Sequence, residues 1–176
     1  AELLAGLERT GVVVHLGARV EAVERPVADG PATASVRRGD GGLFSVVSDE
    51  VLVATGRRPN THDLGLASIG LEPGEFIAVD DHLRAAGVDG GWLYAVGDVN
   101  GRSLLTHTGK YQARIAGGHI RGIESSAWGD RAATPRVVFT TPEVAAVGLT
   151  EADARHQGVD VRTVRYDLGH LAAASI

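Results

Sequence analysis

The stretch LYAVGDV, Leu93–Val99, decides how this chain folds. Its apolar run, Leu93–Val96, predicts a buried strand that stops at Gly97 and Asp98. Glycine and aspartate are common turn residues, so an ordinary turn is one interpretation. The other is an acid at the carboxyl end of a parallel strand, where open α/β sheets bind ligands. In that case Gly97 lets a ligand approach the backbone, and Asp98 accepts hydrogen bonds from the hydroxyl groups of the ligand.

A second apolar run, Val51–Ala54, also ends in glycine, at Gly56 of the stretch ATGRRPN. The arginines that follow, Arg57 and Arg58, have the charge to neutralise a phosphate. A basic, solvated turn is the alternative. Two strands that both end in this way favour a crevice for a nucleotide cofactor more than either strand does singly.

The stretch LLTHTGKYQ, Leu104–Gln112, leads into a helix that we predict over about Thr108–Ile120. Thr106 or Thr108 is the expected cap. The N–H groups at a helix start suit an anionic oxygen of a ligand. His107 is a candidate acid, base or contact residue, although a single histidine at a helix start also fits a structural role.

Several motifs with well-understood chemistry are missing from the sequence. Gly109-Lys110 is no phosphate loop, because the Walker pattern needs a glycine where Leu104 stands. There is no GxGxxG fingerprint and no GxSxG elbow. The 7 histidines show no HExxH-like spacing, and there are no cysteines. We therefore predict no metal site and assign no catalytic residue.

Composition limits the class of protein. Of the 176 residues 44% are hydrophobic, enough for a core, and the formal net charge is -5. An acidic chain does not favour nucleic acid as a partner, and no apolar run approaches the roughly 20 residues that span a bilayer. The charged, amphipathic start AELLAGLERTG is no signal peptide, so we expect a cytoplasmic protein. The absence of methionine suggests a piece of something longer.

Turn signals divide the chain. Those at Asp29-Gly30 and Asp40-Gly41-Gly42 predict an antiparallel meander of short strands. The polar stretch ESSAWGDRAATP is a candidate linker. Five further strands and a helix capped by Thr150 are predicted elsewhere: Val12–Val14, Phe76–Val79, Val137–Thr140 with Ala145–Val147, Val161–Tyr166, and the helix Glu151–Gln157.

Four segments in order resemble the flavin-dependent pyridine nucleotide-disulfide oxidoreductases. They are VLVATGRRPNTHDLGL, FIAVDD, WLYAVGDVNG and TPRVVFTTPEVAAVGLTEADAR. That family includes dihydrolipoamide dehydrogenase, glutathione reductase and mercuric reductase. The likeness extends from about Leu3 to Tyr166, and the order of the four motifs makes it specific.

The resemblance implies an α/β fold, part of a flavoprotein with two dinucleotide-binding domains. Residues 1–56 would end the NAD(P)-binding domain and include the meander. Residues 57–127 would be the second segment of the FAD-binding domain. Residues 134–176 would begin an α+β interface domain that makes a homodimer.

The resemblance also implies site residues. Asp98 would hold a ribityl hydroxyl of FAD, and Gly97 would permit the approach. Gly56 and Arg57 would lie near the nicotinamide path. The segment beside the flavin ring would comprise Leu105, Thr106, His107 and Thr108. One departure is Ala85-Ala86, where many members carry a threonine or serine.

The implied chemistry is transfer of hydride from NAD(P)H through FAD to a disulfide or another acceptor. The family's first FAD fingerprint, its glycine-rich NAD(P) fingerprint and its redox cysteine pair would precede Ala1. Its acid-base His-Glu pair would follow Ile176. We therefore expect the parent protein to be an enzyme and this chain alone to be inactive. The alternative is a truncated, cofactor-free remnant that acts only as an interaction or dimerisation module.

Overall fold

The computed structural model describes residues 2–167, which fall into two compact units. The first unit comprises Ala1–Arg57 with Val137–Val144, and the second comprises Arg58–Arg136 with Ala145–Ile176. The predicted segments 1–56, 57–127 and 134–176 stay predictions. The last nine positions of the third segment lie outside the described residues.

The first unit opens with helix α1, Glu2–Arg9, and Gly11 follows two residues after its end with a φ of 85°. Its meander is confirmed as a three-stranded antiparallel sheet in chain order. The strands are β1 (Arg19–Glu24), β2 (Ala32–Arg37) and β3 (Leu43–Ser48).

The central strand of this sheet carries its buried face. Val36 pairs with Val20 on one side and Phe44 on the other. Ala32 and Val36 lie four residues apart, on the same face, and both are buried. The turn between the second and third strands is closed where the Asp40 carboxylate accepts the N–H of Gly42 at 2.8 Å.

The second unit has two small apolar clusters and the longest helix of the described chain, α2, Thr106–Ile120. Helix α2 begins two residues before the predicted Thr108. A short helix, α3, covers Gly129–Ala132. The first cluster consists of Leu66, Ile77, Ala85 and Ala95, and the second consists of Leu83, Ala116 and Ala127.

The segment Leu93–Val96 is extended, and its one bridge among the described residues, at Tyr94, is antiparallel rather than parallel. Its hydrogen-bonded partner is the nearby segment 83–85, and the bridge between Arg84 and Tyr94 is antiparallel. The N–H of Ala85 donates to the carbonyl of Leu93 at 2.9 Å. A parallel pair needs a long crossover connection, whereas two adjacent segments pair antiparallel through a short one.

Four of the predicted strands do not form among the described residues. One of these four segments, Phe76–Val79, still makes isolated backbone contacts. Val12–Val14, Val51–Ala54 and Val161–Tyr166 form no ladder with any described residue, and Phe76–Val79 forms a single bridge at Val79. A strand exists only where a second backbone satisfies its N–H and C=O groups. Apolar sequence alone predicted these segments, and the described residues supply no such backbone.

Near the end of the described chain, the observed elements agree more closely with those predicted from the sequence. Strands β4 (Pro135–Val138) and β5 (Val144–Val147) form a two-stranded sheet. Helix α4 spans Glu151–His156, and the predicted cap is confirmed because the hydroxyl of Thr150 accepts the N–H of Asp153 at 3.1 Å. In residues 2–167, every helix is too short or too polar to cross a bilayer.

Candidate cofactor-binding site

The candidate site begins where the extended segment stops at Val96. The chain then makes a single 3-10 turn, Gly97–Asn100, and Gly101 ends it by donating to the carbonyl of Asp98 at 3.1 Å. Gly97 has a φ of 79°, which a side chain rarely tolerates. The sequence therefore fixes a sharp turn at this point, which we name the Gly97–Asp98 turn.

Helix α2 approaches this turn through a second glycine. A Cβ atom on Gly109 would lie 3.3 Å from the Cα of Gly97, closer than most real Cβ contacts. The two glycines thus let the helix and the turn touch backbone to backbone. This contact brings the Gly97–Asp98 turn and the first turn of α2 into one site.

The start of α2 differs from the prediction. The residue at the N-cap is Leu105, and no side chain caps the helix. Thr106 and His107 are exposed, whereas Thr108 is buried and accepts a hydrogen bond from the hydroxyl of Ser103 at 3.1 Å. The prediction of a threonine cap is therefore wrong. The first N–H groups of α2 have no side-chain acceptor at the cap, which leaves the positive end of the helix dipole available to a ligand oxygen.

Behind the turn lies a buried amide that the sequence did not reveal as a site residue. The side chain of Gln112 is fully buried, and its Oε1 accepts the N–H of Gly97 at 2.6 Å. The same oxygen accepts Nδ2 of Asn100 at 2.8 Å. The sequence did carry one signal for this role. Gln112 is a polar residue on the same face of α2 as Ile115 and Ala116, and a buried polar side chain needs hydrogen-bond partners.

The other end of this amide meets an acid from α3. Nε2 of Gln112 donates to Oδ2 of Asp130 at 2.7 Å, and the Asp130 side chain is 1% exposed. Burial raises the pKa of Asp130, against the lowering effect of the Gln112 hydrogen bond and of the Arg102 charge. The remaining oxygen, Oδ1, lies buried without a hydrogen-bond partner among the described residues, as does Nη1 of Arg102.

A cavity of about 330 Å³ adjoins the first turn of α2 in the second unit. Its walls are largely aromatic and apolar, with the buried carboxylate among them. The lining residues are His107, Thr108, Tyr111, Trp128, Gly129, Asp130, Ala133, Thr134 and Pro135.

The predicted site residues divide between the two units. The second unit brings together the Gly97–Asp98 turn and residues 105–108 at the start of α2. Gly56 and Arg57 are exposed and belong to the first unit. Within residues 2–167 no group of three or more histidines or acids is arranged to hold a metal ion.

Comparison with known families defines the class of protein. Residues 1–113 match the family model described as pyridine nucleotide-disulphide oxidoreductase. Residues 134–176 match that of the dimerisation domain of the same family. The chain therefore belongs to the pyridine nucleotide-disulphide oxidoreductases, an enzymatic α/β family that depends on FAD and NAD(P) and forms homodimers through its dimerisation domain.

Individual relatives agree with this assignment. The chain is 34% identical to a dihydrolipoyl dehydrogenase of Mycobacterium tuberculosis, over 94% of the chain and 35% of the relative. It is 32% identical to a mercuric reductase of Streptomyces lividans, over 99% of the chain and 37% of the relative. The HOCl-induced flavoprotein disulfide reductase RclA of Escherichia coli matches with a TM-score of 0.72 at 27% identity, over 97% of the chain and 38% of that structure. The chain thus spans about a third of the length of its relatives.

Proposed function

We propose that this chain supplies the second FAD-contacting segment of a flavoprotein oxidoreductase. The parent enzyme would pass hydride from NAD(P)H through FAD to a disulfide or another acceptor. The observation that supports this most strongly is the contact of the Gly97–Asp98 turn with the uncapped start of α2. This contact brings the segment that carries Asp98 close to the backbone donors of the helix start, a combination that suits a polyhydroxy chain joined to an electron-poor ring.

Each residue of the site has a part in this proposal. The carboxylate of Asp98 accepts a hydrogen bond from a ribityl hydroxyl, and Gly97 keeps the space that the ribityl chain needs. The segment Leu105–Thr108 lies along the flavin ring, and the N–H groups of its helix start stabilise negative charge on a pyrimidine oxygen. When bound, FAD supplies the hydride chemistry, and these residues bind and orient it.

The first unit would contribute residues to the binding of NAD(P)H. Gly56 and Arg57 are proposed to border the nicotinamide path, where the guanidinium of Arg57 neutralises phosphate charge on NAD(P)H. Gly56 has a φ of 116°, a backbone conformation that residues with a side chain rarely adopt.

The assembly is proposed to be a homodimer formed through residues 134–176. Strands β4 and β5 support this, because all of their residues are exposed and most are apolar. Exposed apolar side chains that lie together mark protein interfaces. We propose a cytoplasmic enzyme with a small-molecule or disulfide acceptor.

The deciding experiment is flavin retention by the protein expressed at its native length. We expect stoichiometric FAD in the wild type and a weaker complex in Asp98→Ala. Loss of a hydrogen bond to a charged group costs on the order of 1.5–3 kcal/mol, which corresponds to an affinity lower by about 10- to 150-fold. Flavin content after extensive dialysis, read from the visible absorbance of the bound flavin, measures the effect.

The matched control is Asp89→Asn, an exposed acid in the same unit. It should retain flavin as the wild type does. Equal retention by Asp98→Ala would contradict the proposed role of Asp98. A wild-type protein of native length that holds no FAD at all would favour the cofactor-free dimerisation module instead.

A further inference from the structure

One oxygen atom, Oε1 of Gln112, stabilises the Gly97–Asp98 turn through two hydrogen bonds. Oε1 of Gln112 accepts the N–H of Gly97 at 2.6 Å and Nδ2 of Asn100 at 2.8 Å. Asn100 also donates to the carbonyl of Ala95 at 3.0 Å, on the other side of the turn. Both ends of the turn therefore depend on an oxygen at this end of the Gln112 amide.

An amide side chain has no intrinsic preference for which end faces the turn. Its oxygen accepts hydrogen bonds and its nitrogen only donates them. A half-turn about the last bond of Gln112 would set its NH₂ group against the donors of Gly97 and Asn100. Buried donors left without acceptors cost about 1–3 kcal/mol each, so the turn would open or shift.

Asp130 removes this ambiguity. Its carboxylate has only acceptor atoms, and it lies 2.7 Å from Nε2 of Gln112. The rotated amide would face a carboxylate with an oxygen, which is repulsive. Asp130 therefore fixes the direction of the amide, although it is outside the turn and comes from α3.

Charge around Asp130 maintains this arrangement. Nη1 of Arg102 lies 3.9 Å from Oδ2 of Asp130, and the Arg102 side chain is only 15% exposed. Arg102 is itself anchored through Nη2, which donates to the carbonyl of Val79 at 2.7 Å. Burial and the neighbouring carboxylate of Asp81 raise the pKa of Asp130, and this fixed cation opposes them. Arg102 therefore favours the ionised form, in which both oxygens accept hydrogen bonds.

We propose that Asp130 is a positioning residue for the flavin, which rests on the proposed function above. Acting through Gln112, it holds the Gly97–Asp98 turn in the conformation that receives the ribityl chain. The chain of contacts runs from α3 to α2 and from α2 to the turn, entirely within the second unit. Asp130 thus controls flavin affinity through the direction of one buried amide.

Exchange of the two side-chain types tests this proposal in the protein of native length. Asp130→Asn keeps the shape of the side chain but no longer forces the amide direction. Gln112→Glu keeps an acceptor toward Gly97 but sets a second carboxylate against Asp130. Each single variant should weaken FAD binding by about tenfold, the equivalent of one net hydrogen bond.

The double variant Gln112→Glu with Asp130→Asn should recover. The carboxylate introduced on α2 would accept from Gly97 and Asn100 on one oxygen, and the amide introduced on α3 would donate to the other oxygen. Every donor again has an acceptor, with the roles of the two positions reversed. Recovery of affinity by two changes that are each harmful separates a positioning role from general loss of stability.

Two measurements keep the outcomes distinct. Hydrogen exchange of the Gly97 amide in the flavin-free protein reports whether the turn is held, and FAD titration reports the consequence. We expect lower protection and lower affinity in both single variants, recovery of both in the double variant, and wild-type values in Asp89→Asn. If Gln112→Glu does not fold, recovery of folding and flavin by the double variant decides the same question.

Three results would overturn the proposal. These are unchanged Gly97 protection in Asp130→Asn, lower protection with unchanged FAD affinity, and a double variant no better than the single ones. The second of these would leave the proposed function intact. If the wild type binds no FAD, the proposed function fails and the flavin role of Asp130 fails with it, whereas Gly97 exchange still shows whether Asp130 holds the turn.

Discussion

The carboxylate of Asp80 organises a turn that carries a strained residue. Its Oδ1 accepts the backbone N–H of His82 at 2.9 Å and that of Arg84 at 3.0 Å. Oδ2 accepts Nε of Arg84 at 2.8 Å. Between them Leu83 is fully buried with a φ of 69°, a left-handed conformation that is rare outside glycine. The acid therefore helps to hold a core leucine in a costly conformation.

These contacts predict a pH dependence of stability. Burial raises the pKa of Asp80, but the hydrogen bonds from Arg84 and His82 outweigh it, and the net pKa lies below the ordinary value. A lowered folded pKa stabilises the fold above the unfolded value of about 3.9, and this stabilisation is lost as the pH falls through the folded pKa. Asp80→Asn should therefore be less stable than the wild type near neutral pH, by up to about 1 kcal/mol for this half-exposed pair, and the difference should shrink at acid pH.

Urea denaturation of both proteins at a series of pH values measures this difference. Asp130 contributes with the opposite sign, because its raised pKa favours the folded state only while it is protonated. Its effect is common to both proteins and cancels in the comparison. A difference that does not change with pH would show that Asp80 acts by shape alone.

Among the elements, the short helix α4 depends on the residue that caps it, Thr150. It has six residues, Glu151–His156, and helices of this length have little stability of their own. Thr150 caps it by accepting the N–H of Asp153, and Arg155 pairs with Glu151 at 2.9 Å. The cap and one ion pair are its main local support.

Removal of the cap should open α4 without affecting the candidate site. Thr150→Ala is expected to cost about 1 kcal/mol, seen as faster amide exchange within Glu151–His156. Thr150→Ser keeps the hydroxyl and should exchange as the wild type does. Equal exchange rates in the alanine and serine variants would show that the hydroxyl does not hold the helix.

Comparison of these elements shows which signals the sequence carries. Local signals predicted α2, the cap of α4 and the Gly97–Asp98 turn. Apolar periodicity indicates a helix, a hydroxyl can cap a helix, and a glycine permits a tight turn, and none of these signals depends on residues far away in the sequence. Asp130 was missed because its contact with Gln112 joins residues 18 positions apart and exists only after folding. The strand predicted at Val51–Ala54 is absent because a ladder requires a second backbone, which apolar composition does not reveal.

For the protein as a whole, the strength of cofactor binding depends on how much of the polypeptide is present. A dinucleotide is normally held at its pyrophosphate by a glycine-rich helix start, and the sequence has no GxGxxG fingerprint. The Gly97–Asp98 turn and α2 would contact only the ribityl and ring portions of FAD. The chain therefore offers part of a binding site.

A protein of these 176 residues alone should consequently bind FAD weakly and show no NAD(P)H oxidation. Fluorescence titration with FAD and an assay with both nicotinamide cofactors measure this. The protein of native length provides the comparison under identical conditions. Tight, stoichiometric binding by the 176 residues would show that they hold a complete site and that the pyrophosphate contact is not essential.

The exposed apolar run Val51–Thr55 affects the tendency of the protein to aggregate. Leu52 is 91% exposed, and the run Val51–Thr55 combines high β-propensity with no charge, which is the composition of a segment that self-associates. Charged pairs flank it on both sides, Asp49-Glu50 before and Arg57-Arg58 after. Such flanking charges act as gatekeepers against stacking between copies. The arginines proposed to meet a phosphate in the assembled enzyme would also keep newly made chains apart from one another.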